Sequence, residues 1–122
     1  MTNKIKSFTD LEAWKESHRI ALSIYKLTKD FPKEEIFGLT NQLRRASVSV
    51  SSNIAEGFSR YSNKEKHHFY RMALGSLTET QSQMLMARDI NYVSKEAFDS
   101  FAALSIQVSK LLNGLVKKVK TP

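Results

Sequence analysis

The sequence predicts an all-α protein, an antiparallel up-down-up-down four-helix bundle formed by a single domain over residues 1–122. Three observations predict this class. Apolar residues recur every three or four positions in four separate stretches, and no stretch shows the alternating pattern of a β-strand. The links between the stretches are short or compact, as in antiparallel bundles. The four helices are predicted roughly over residues 9–29, 39–60, 63–90 and 94–119.

The first helix is predicted to begin at a capping box, Thr9 to Glu12, in which each side chain binds the backbone N–H of the other residue. Phe8 precedes the box and is placed to pack on the first turn. The helix should end near Lys29, because Pro32 disfavours the helical conformation of the residue before it.

The second helix is the most informative, because between Leu39 and Phe58 only three residues carry charge. Its far side, opposite the core-facing stripe, is small and mostly apolar, although Arg44 also points there. A helix without a solvated face is usually buried on more than one side. We therefore expect another copy of the protein to cover this far side, which predicts an oligomer interface at Val48, Ser51 and Ala55.

A polar stripe runs along one flank of the same helix. Arg45 lies in this stripe, and Glu79 on the third helix is its expected partner, because a poorly hydrated arginine is costly unless it is paired. The stripe is interpreted as a hydrogen-bonded network that fixes helix register, with a binding pocket or a subunit interface as the alternatives. Its predicted members are Gln42, Arg45, Ser49, Asn53, Glu56 and Glu79.

The third and fourth helices follow from local signals. Ser62 and Glu65 form a second capping box, and Ser94 is placed to cap the last helix. Thr40 or Asn41 is expected to cap the second helix in the same way. Gly75 in mid-helix indicates a close helix crossing, because glycine there costs roughly 1 kcal/mol relative to alanine.

Residue types needed for catalysis are few. The chain has no cysteine and three histidines, and its one Glu-x-x-His motif, at Glu65 and His68, has no second copy to complete a di-metal site. The serines near Ser49 have no histidine at helical spacing, and no glycine-rich phosphate loop occurs. The sequence therefore predicts a protein that is not an enzyme and has no metal or cofactor.

The net charge of +7, with a pI near 9.7, favours anionic partners such as nucleic acid. An ordinary solvated basic surface is the alternative interpretation. No secretory leader and no run of about 18 apolar residues occurs, which predicts a cytoplasmic protein without a membrane segment. The candidate nucleic-acid contacts are Arg44, Lys64, Lys66, Arg71, Lys117 and Lys118.

The stretch GLTNQLRRA at 38–46, followed by SVSSNIAEG at 49–57, closely resembles a known family. This is the four-helix-bundle family encoded by intervening sequences of bacterial 23S ribosomal RNA genes. The resemblance implies a ring-shaped homopentamer with a central channel. The family is similar to the accessory protein of diversity-generating retroelements, which engages nucleic acid and a reverse transcriptase.

These observations together predict a non-enzymatic, basic homopentamer that binds RNA or DNA through the phosphate backbone. The alternative is a scaffold that binds a polymerase or another nucleic-acid-processing protein without touching nucleic acid. The expected partners are accordingly further copies of the chain, RNA or DNA, or a partner protein, with no membrane.

Overall fold

The computed structural model describes residues 4–120, which form four α-helices, two short 3₁₀ turns and no β-strand. The all-α prediction is therefore confirmed. The helices are α1 Glu12–Thr28, α2 Leu39–Ser59, α3 Asn63–Asp89 and α4 Lys95–Lys118. The 3₁₀ turns are Phe8–Asp10 and Lys33–Glu35.

The start of α1 differs from the prediction. Ser7, and not Thr9, forms the capping box, with Asp10 as its partner, around the 3₁₀ turn that precedes the helix. Leu11 then takes an extended conformation, and α1 begins at Glu12 without a side-chain cap. The chain thus contains two overlapping cap signals, and the upstream one is used.

Each helix packs against two others: α2 contacts α1 and α3, and α4 contacts α3 and α1. Aliphatic side chains from all four helices fill the space between them. Burial of one such side chain stabilises the fold by roughly 1.5–3 kcal/mol. The largest fully buried apolar residues are Ile20, Ile24, Leu43, Ile54, Leu77, Met84, Leu112, Val50 and Val108.

The polar residues inside this core are small and carry no charge. Of the residues from 4 to 120, no lysine, arginine, aspartate or glutamate is buried; the buried polar side chains are serines and threonines. Most of their hydroxyls donate to a carbonyl one turn earlier in the same helix, as Thr80 does to Ser76 at 2.8 Å. Such bonds satisfy the hydroxyl without fixing a partner on another helix.

The small, mostly apolar far side of α2 is covered in part by the same chain, through the packing of α1 on α2, so only its exposed remainder is open to a second copy. Arg44 reaches Thr28 on α1, and Ser47 and Ser51 lie on the same face of α2 at three and seven residues beyond it. Ser51 is buried within the single chain, so it is not part of an exposed interface. Val48 remains exposed and Ala55 is half-buried.

The α2–α3 crossing is close at Gly57 and not at Gly75. A Cβ atom on Gly57 would lie 2.7 Å from the Tyr70 ring, whereas one on Gly75 would meet nothing within 4 Å. Gly75 faces solvent, and the prediction of a crossing there is wrong. The crossing therefore depends on the last part of α2 and the first part of α3.

The α2 start also differs from the prediction, because Gly38 occupies the N-cap position and neither Thr40 nor Asn41 caps the helix. The Glu35 carboxylate replaces them: its Oε1 accepts from the Leu39 N–H at 3.2 Å. Its Oε2 accepts from the Tyr92 hydroxyl at 2.9 Å. One carboxylate thus links the start of α2 to the α3–α4 turn.

That turn forms where the sequence places it. Asn91 has φ = 65°, the left-handed conformation that ends many helices. The Tyr92 N–H then donates to the Ala87 carbonyl at 2.9 Å, and the Asn91 N–H donates to Arg88 at 3.0 Å, which completes a Schellman motif. Ser94 caps α4 by accepting from the Ala97 N–H, as predicted.

Candidate nucleic-acid interface

One end of the protein gathers the beginning of the described chain, the end of α2, the start of α3 and the end of α4. Residues from all four segments line one cavity of about 370 Å³, among them Ile5, Phe58, Asn63 and Leu115. We call the residues on this side of the helix midpoints, 4–20, 50–76 and 107–120, the basic half. The remaining residues, 21–49 and 77–106, form the neutral half.

Charge is divided unequally between the two halves. The basic half holds 12 Lys and Arg against 5 Asp and Glu, and the neutral half holds 7 of each. The whole net charge of +7 therefore belongs to the basic half, together with all three histidines. A field concentrated at one end attracts phosphates more strongly than the same charge spread evenly over the surface.

The predicted contacts divide between these halves. Lys64, Arg71, Lys117 and Lys118 lie in the basic half and are exposed. Lys64 and Arg71 make no hydrogen bond or ion pair within residues 4–120 as described. They are seven residues apart on α3 and face the same way, about 10 Å along the helix axis at 1.5 Å per residue. His68 lies between them and is also exposed.

Lys66 has a structural role that the sequence did not reveal. Its Nζ donates to the Phe58 carbonyl at 2.7 Å and approaches the Gly57 carbonyl at 3.4 Å. It also lies 5.4 Å from the centre of the Phe58 ring. The ammonium group therefore satisfies carbonyls of the last turn of α2, where a cation suits the helix dipole. It is half-buried and already hydrogen-bonded, so it is a weaker candidate for a phosphate contact than its exposed neighbours.

Arg44 lies in the neutral half and binds inside the chain. Its Nε donates to Thr28 Oγ1 at 2.9 Å, and its Cζ lies 4.7 Å from the centre of the Tyr25 ring. Both contacts join α2 to α1. The guanidinium therefore holds two helices together within the chain, and its contact with nucleic acid stays a prediction.

The predicted polar network forms in part, between α2 and α3. Ser76 Oγ donates to Ser49 Oγ at 2.9 Å, and Asn53 Nδ2 donates to the Ser49 carbonyl and hydroxyl at 2.9 and 3.1 Å. Both Ser49 and Asn53 are half-buried, and hydrogen bonds are electrostatically stronger in such an environment than in water. This part of the stripe fixes the two helices relative to each other.

The expected ion pair between Arg45 and Glu79 is not formed. Glu79 instead accepts from Gln83 Nε2 at 3.3 Å, and Glu56 pairs with Arg60 at 3.0 Å. Arg45 is exposed and therefore hydrated, which removes the need for a partner. Arg45 and Glu79 line a groove of about 330 Å³, together with Asn41, Gln42, Ala46 and Ser49.

Between residues 4 and 120, no group of three or more His, Cys, Asp or Glu side chains is arranged to hold a metal ion. No helix in the part of the chain that the structure describes is long and apolar enough to cross a membrane.

The four helices and the polarised charge define a small, basic, all-α protein. The chain belongs to the family described as 23S rRNA-intervening sequence protein, whose profile matches residues 9–114. This confirms the resemblance found in the GLTNQLRRA and SNIAEG motifs.

Comparison with solved structures supports the same fold. A crystal structure of a protein with unknown function from the S23 ribosomal protein family of Bacteroides thetaiotaomicron VPI-5482 superposes with a TM-score of 0.77. The two sequences are 23% identical, and the match covers 86% of this chain and 98% of the other. A search of curated proteins finds no match.

Proposed function

We propose that this protein is a non-enzymatic nucleic-acid-binding protein, an up-down-up-down bundle that binds the phosphate backbone of RNA or DNA with its basic half. The observation that carries the proposal is the location of the entire +7 charge in that half. Backbone contacts give affinity without reading the sequence of the bases. The exposed cations that supply them are Lys64, Arg71, Lys117 and Lys118.

Salt dependence tests this proposal. A labelled structured RNA and a labelled DNA duplex are titrated with the protein at several salt concentrations, and log K is plotted against log salt. Release of counterions from Z neutralised phosphates gives a slope near −0.9Z for duplex DNA and about −0.7Z for single strands. Absence of binding at low salt, or a slope near zero, would contradict the proposal.

We further propose that the chain assembles into a ring, because it exposes two separate apolar surfaces. One surface, on α1 and α2, contains Leu22, Tyr25 and Val48, which are 57%, 44% and 39% exposed. The other, on α3 and α4, contains Leu85 and Ile106, which are 42% and 55% exposed. Exposed apolar groups of this kind favour contacts between proteins.

The two surfaces lie on different sides of the molecule, since α1 packs on α2 and α4 while α3 packs on the same two helices. A contact between unlike surfaces of identical subunits is heterologous, and it produces a closed ring when the rotation permits. Five subunits is the number that the resemblance to the intervening-sequence family implies. Five copies would collect the positive charge of five basic halves in one assembly.

Light scattering after size exclusion tests the ring. The expected mass is five times 13.9 kDa. Val48→Glu should lower the mass, because a carboxylate would have to be desolvated in the contact. Ser100→Glu, at an exposed residue of α4 that lies about 120° around the helix from Ile106, is the matched control and should leave the mass unchanged. A wild-type particle of 13.9 kDa at micromolar concentration would contradict the ring.

The scaffold function has one observation in its favour. Ile36 and Phe37, in the α1–α2 connection, are 54% and 92% exposed, and both lie in the neutral half. An apolar pair away from the cations suits a protein partner better than a phosphate backbone. The test is a pull-down with the wild-type protein and with Phe37→Ser after nuclease treatment. A polymerase that is retained by wild type and lost with Phe37→Ser would support this second function.

A further inference from the structure

Tyr61 is a fully exposed aromatic residue in the α2–α3 connection, at the outer end of the basic half. Its relative exposure is 102%, and it lies in the short connection between the end of α2 at Ser59 and the start of α3 at Asn63. Within residues 4–120 its ring stacks on no other aromatic ring. A large ring left in water at such a site is available to bind a ligand.

The backbone on both sides of Tyr61 is fixed. The Arg60 N–H donates to the Gly57 carbonyl at 3.2 Å, and Ser62 Oγ accepts from the Glu65 N–H at 3.1 Å. The Arg60 guanidinium lies 4.6 Å from the centre of the Phe69 ring and pairs with Glu56. Tyr61 is therefore presented by a short, ordered connection, which lowers the entropy lost when its ring is immobilised by a ligand.

Exposed cations without an ion-pair partner among residues 4–120 lie on the helix that follows Tyr61. Lys64, His68 and Arg71 form an exposed row along α3 that begins three residues after Tyr61. A flat apolar ring at the head of a row of cations matches a ligand that alternates flat rings with anions. Nucleic acid is such a polymer, and proteins that bind single strands combine aromatic platforms with a basic track.

We infer that the basic half binds single-stranded nucleic acid in preference to duplex, with one unpaired base stacked on the Tyr61 ring and adjacent phosphates held by Lys64 and Arg71. This inference rests on the proposed function. The preference follows from the chemistry of the ring: paired bases cover each other's faces within a duplex, so only an unpaired base offers a face for stacking.

Phe37 provides a matched control from the same chain. It is 92% exposed and also lies between two helices, but it belongs to the neutral half. If any exposed ring bound nucleic acid equally well, Phe37→Ala and Tyr61→Ala would have equal effects. If the ring must lie beside the cations, only Tyr61→Ala will weaken binding.

The experiment measures fluorescence anisotropy of a labelled, unstructured oligonucleotide and of its blunt duplex, both at the same low salt. Wild-type protein should bind the single strand more tightly. Tyr61→Ala should weaken single-strand binding about 5- to 150-fold, which corresponds to about 1–3 kcal/mol of stacking for one base. Tyr61→Phe and Phe37→Ala should bind as wild type, and duplex binding should be the same for all four proteins.

A second readout reports stacking directly. An oligonucleotide that carries 2-aminopurine should lose fluorescence when it binds wild type or Tyr61→Phe, and lose much less with Tyr61→Ala at saturating protein. A Tyr61→Ala variant that changes the mass of the assembly would overturn the inference, because the ring would then be a subunit contact.

The outcomes separate the two proposals. Salt-dependent binding that prefers duplex, or that is equally strong in Tyr61→Ala and Phe37→Ala, overturns the single-strand inference and leaves the proposed function intact. Failure of wild-type protein to bind either oligonucleotide at low salt overturns the proposed function itself.

Discussion

Gly57 packs against Tyr70 so closely that a Cβ atom on the glycine would lie 2.7 Å from Cε1 and 2.8 Å from Cδ1 of the ring. The same atom would lie 3.1 Å from Cβ of Phe69. Tyr70 is only 3% exposed, so its ring has little room to move away. The approach of α2 to α3 therefore depends on the absence of a side chain at this position.

We expect Gly57→Ala to destabilise the protein although alanine is the better helix former. The gain in helix propensity is about 1 kcal/mol. Overpacking of a well-packed core costs typically about 1–3 kcal/mol. The expected net loss reaches about 2 kcal/mol in the free energy of unfolding, measured by urea denaturation followed by circular dichroism.

Gly75→Ala is the control for this prediction, because Gly75 lies in α3, faces solvent, and has no atom within 4 Å of an added Cβ. Here only helix propensity changes, so the variant should be more stable by about 0.5–1 kcal/mol. Equal stabilisation by Gly57→Ala and Gly75→Ala would show that the close approach at Tyr70 is relieved without cost.

The hydrogen bond from Tyr92 to Glu35 predicts that the stability of the fold decreases at alkaline pH. The bond to Glu35, burial and the nearby negative charge raise the pKa of Tyr92 above its ordinary value of 10.0. The folded state thus favours the neutral phenol. The stability contributed by this bond is present below about pH 10 and is lost as the pH rises through the folded-state pKa.

Melting temperatures of wild type and Tyr92→Phe, measured over a range of alkaline pH, test this loss of stability. The melting temperature of the variant should be lower at neutral pH, and the two curves should converge at strongly alkaline pH, because the phenolate no longer donates to the carboxylate. A difference that stays constant over the whole alkaline range would exclude the Glu35 bond as its cause.

The Asp10 carboxylate predicts that stability decreases as the pH falls into the acid range. Hydrogen bonds from the backbone N–H groups of Lys6 and Ser7 lower the pKa of the Asp10 carboxyl below its ordinary value of 3.8. The stability that this cap contributes is present above the unfolded value of 3.8 and is lost as the pH falls through the lower, folded-state pKa.

Acid titrations of melting temperature test the cap with a matched pair of variants. Asp10→Asn should lower the melting temperature at neutral pH, and the difference from wild type should shrink as the carboxylate becomes protonated. Asp30→Asn, at an exposed aspartate after α1, should leave the melting temperature nearly unchanged. A pH-independent difference for Asp10→Asn would contradict the lowered pKa.

Features determined by neighbouring residues were predictable from the sequence. Ser62 and Ser94 cap their helices because a cap needs only a hydroxyl and a backbone N–H within one turn. The same local logic was insufficient where two signals overlap, as at Ser7 and Thr9. Each begins a plausible box, and in the structure the Ser7 box is used and Leu11, which follows it, packs against the core.

Features determined by distant residues were not predictable. The sequence shows where glycines occur in the helices. Only the three-dimensional packing shows that Gly57 lies against an aromatic ring, whereas Gly75 faces solvent. The partner of Arg44 likewise lies on another helix, sixteen residues away at Thr28. The polarised charge also depends on which helix ends lie together, because only that arrangement brings the cations of separate segments to one end of the protein.

The last prediction concerns the exposed cations of α3. Replacing Lys64 and Arg71 with glutamine should weaken binding of a single-stranded oligonucleotide at low salt, because both side chains are exposed in the basic half. Each lost phosphate contact should also make the log–log salt slope shallower by about 0.7. The measurement is anisotropy titration at several salt concentrations.

The matched control removes two charges from the neutral half, with Lys29→Gln and Lys33→Gln. Both lysines are exposed, so the control has the same net charge as the Lys64 and Arg71 double variant. If position matters, the control keeps the wild-type slope and, at the titration point near 0.1 M salt, most of the affinity, since exposed charges more than about 10 Å away are largely screened there. If both double variants lose affinity equally, binding responds to total charge, and the basic half is not the site.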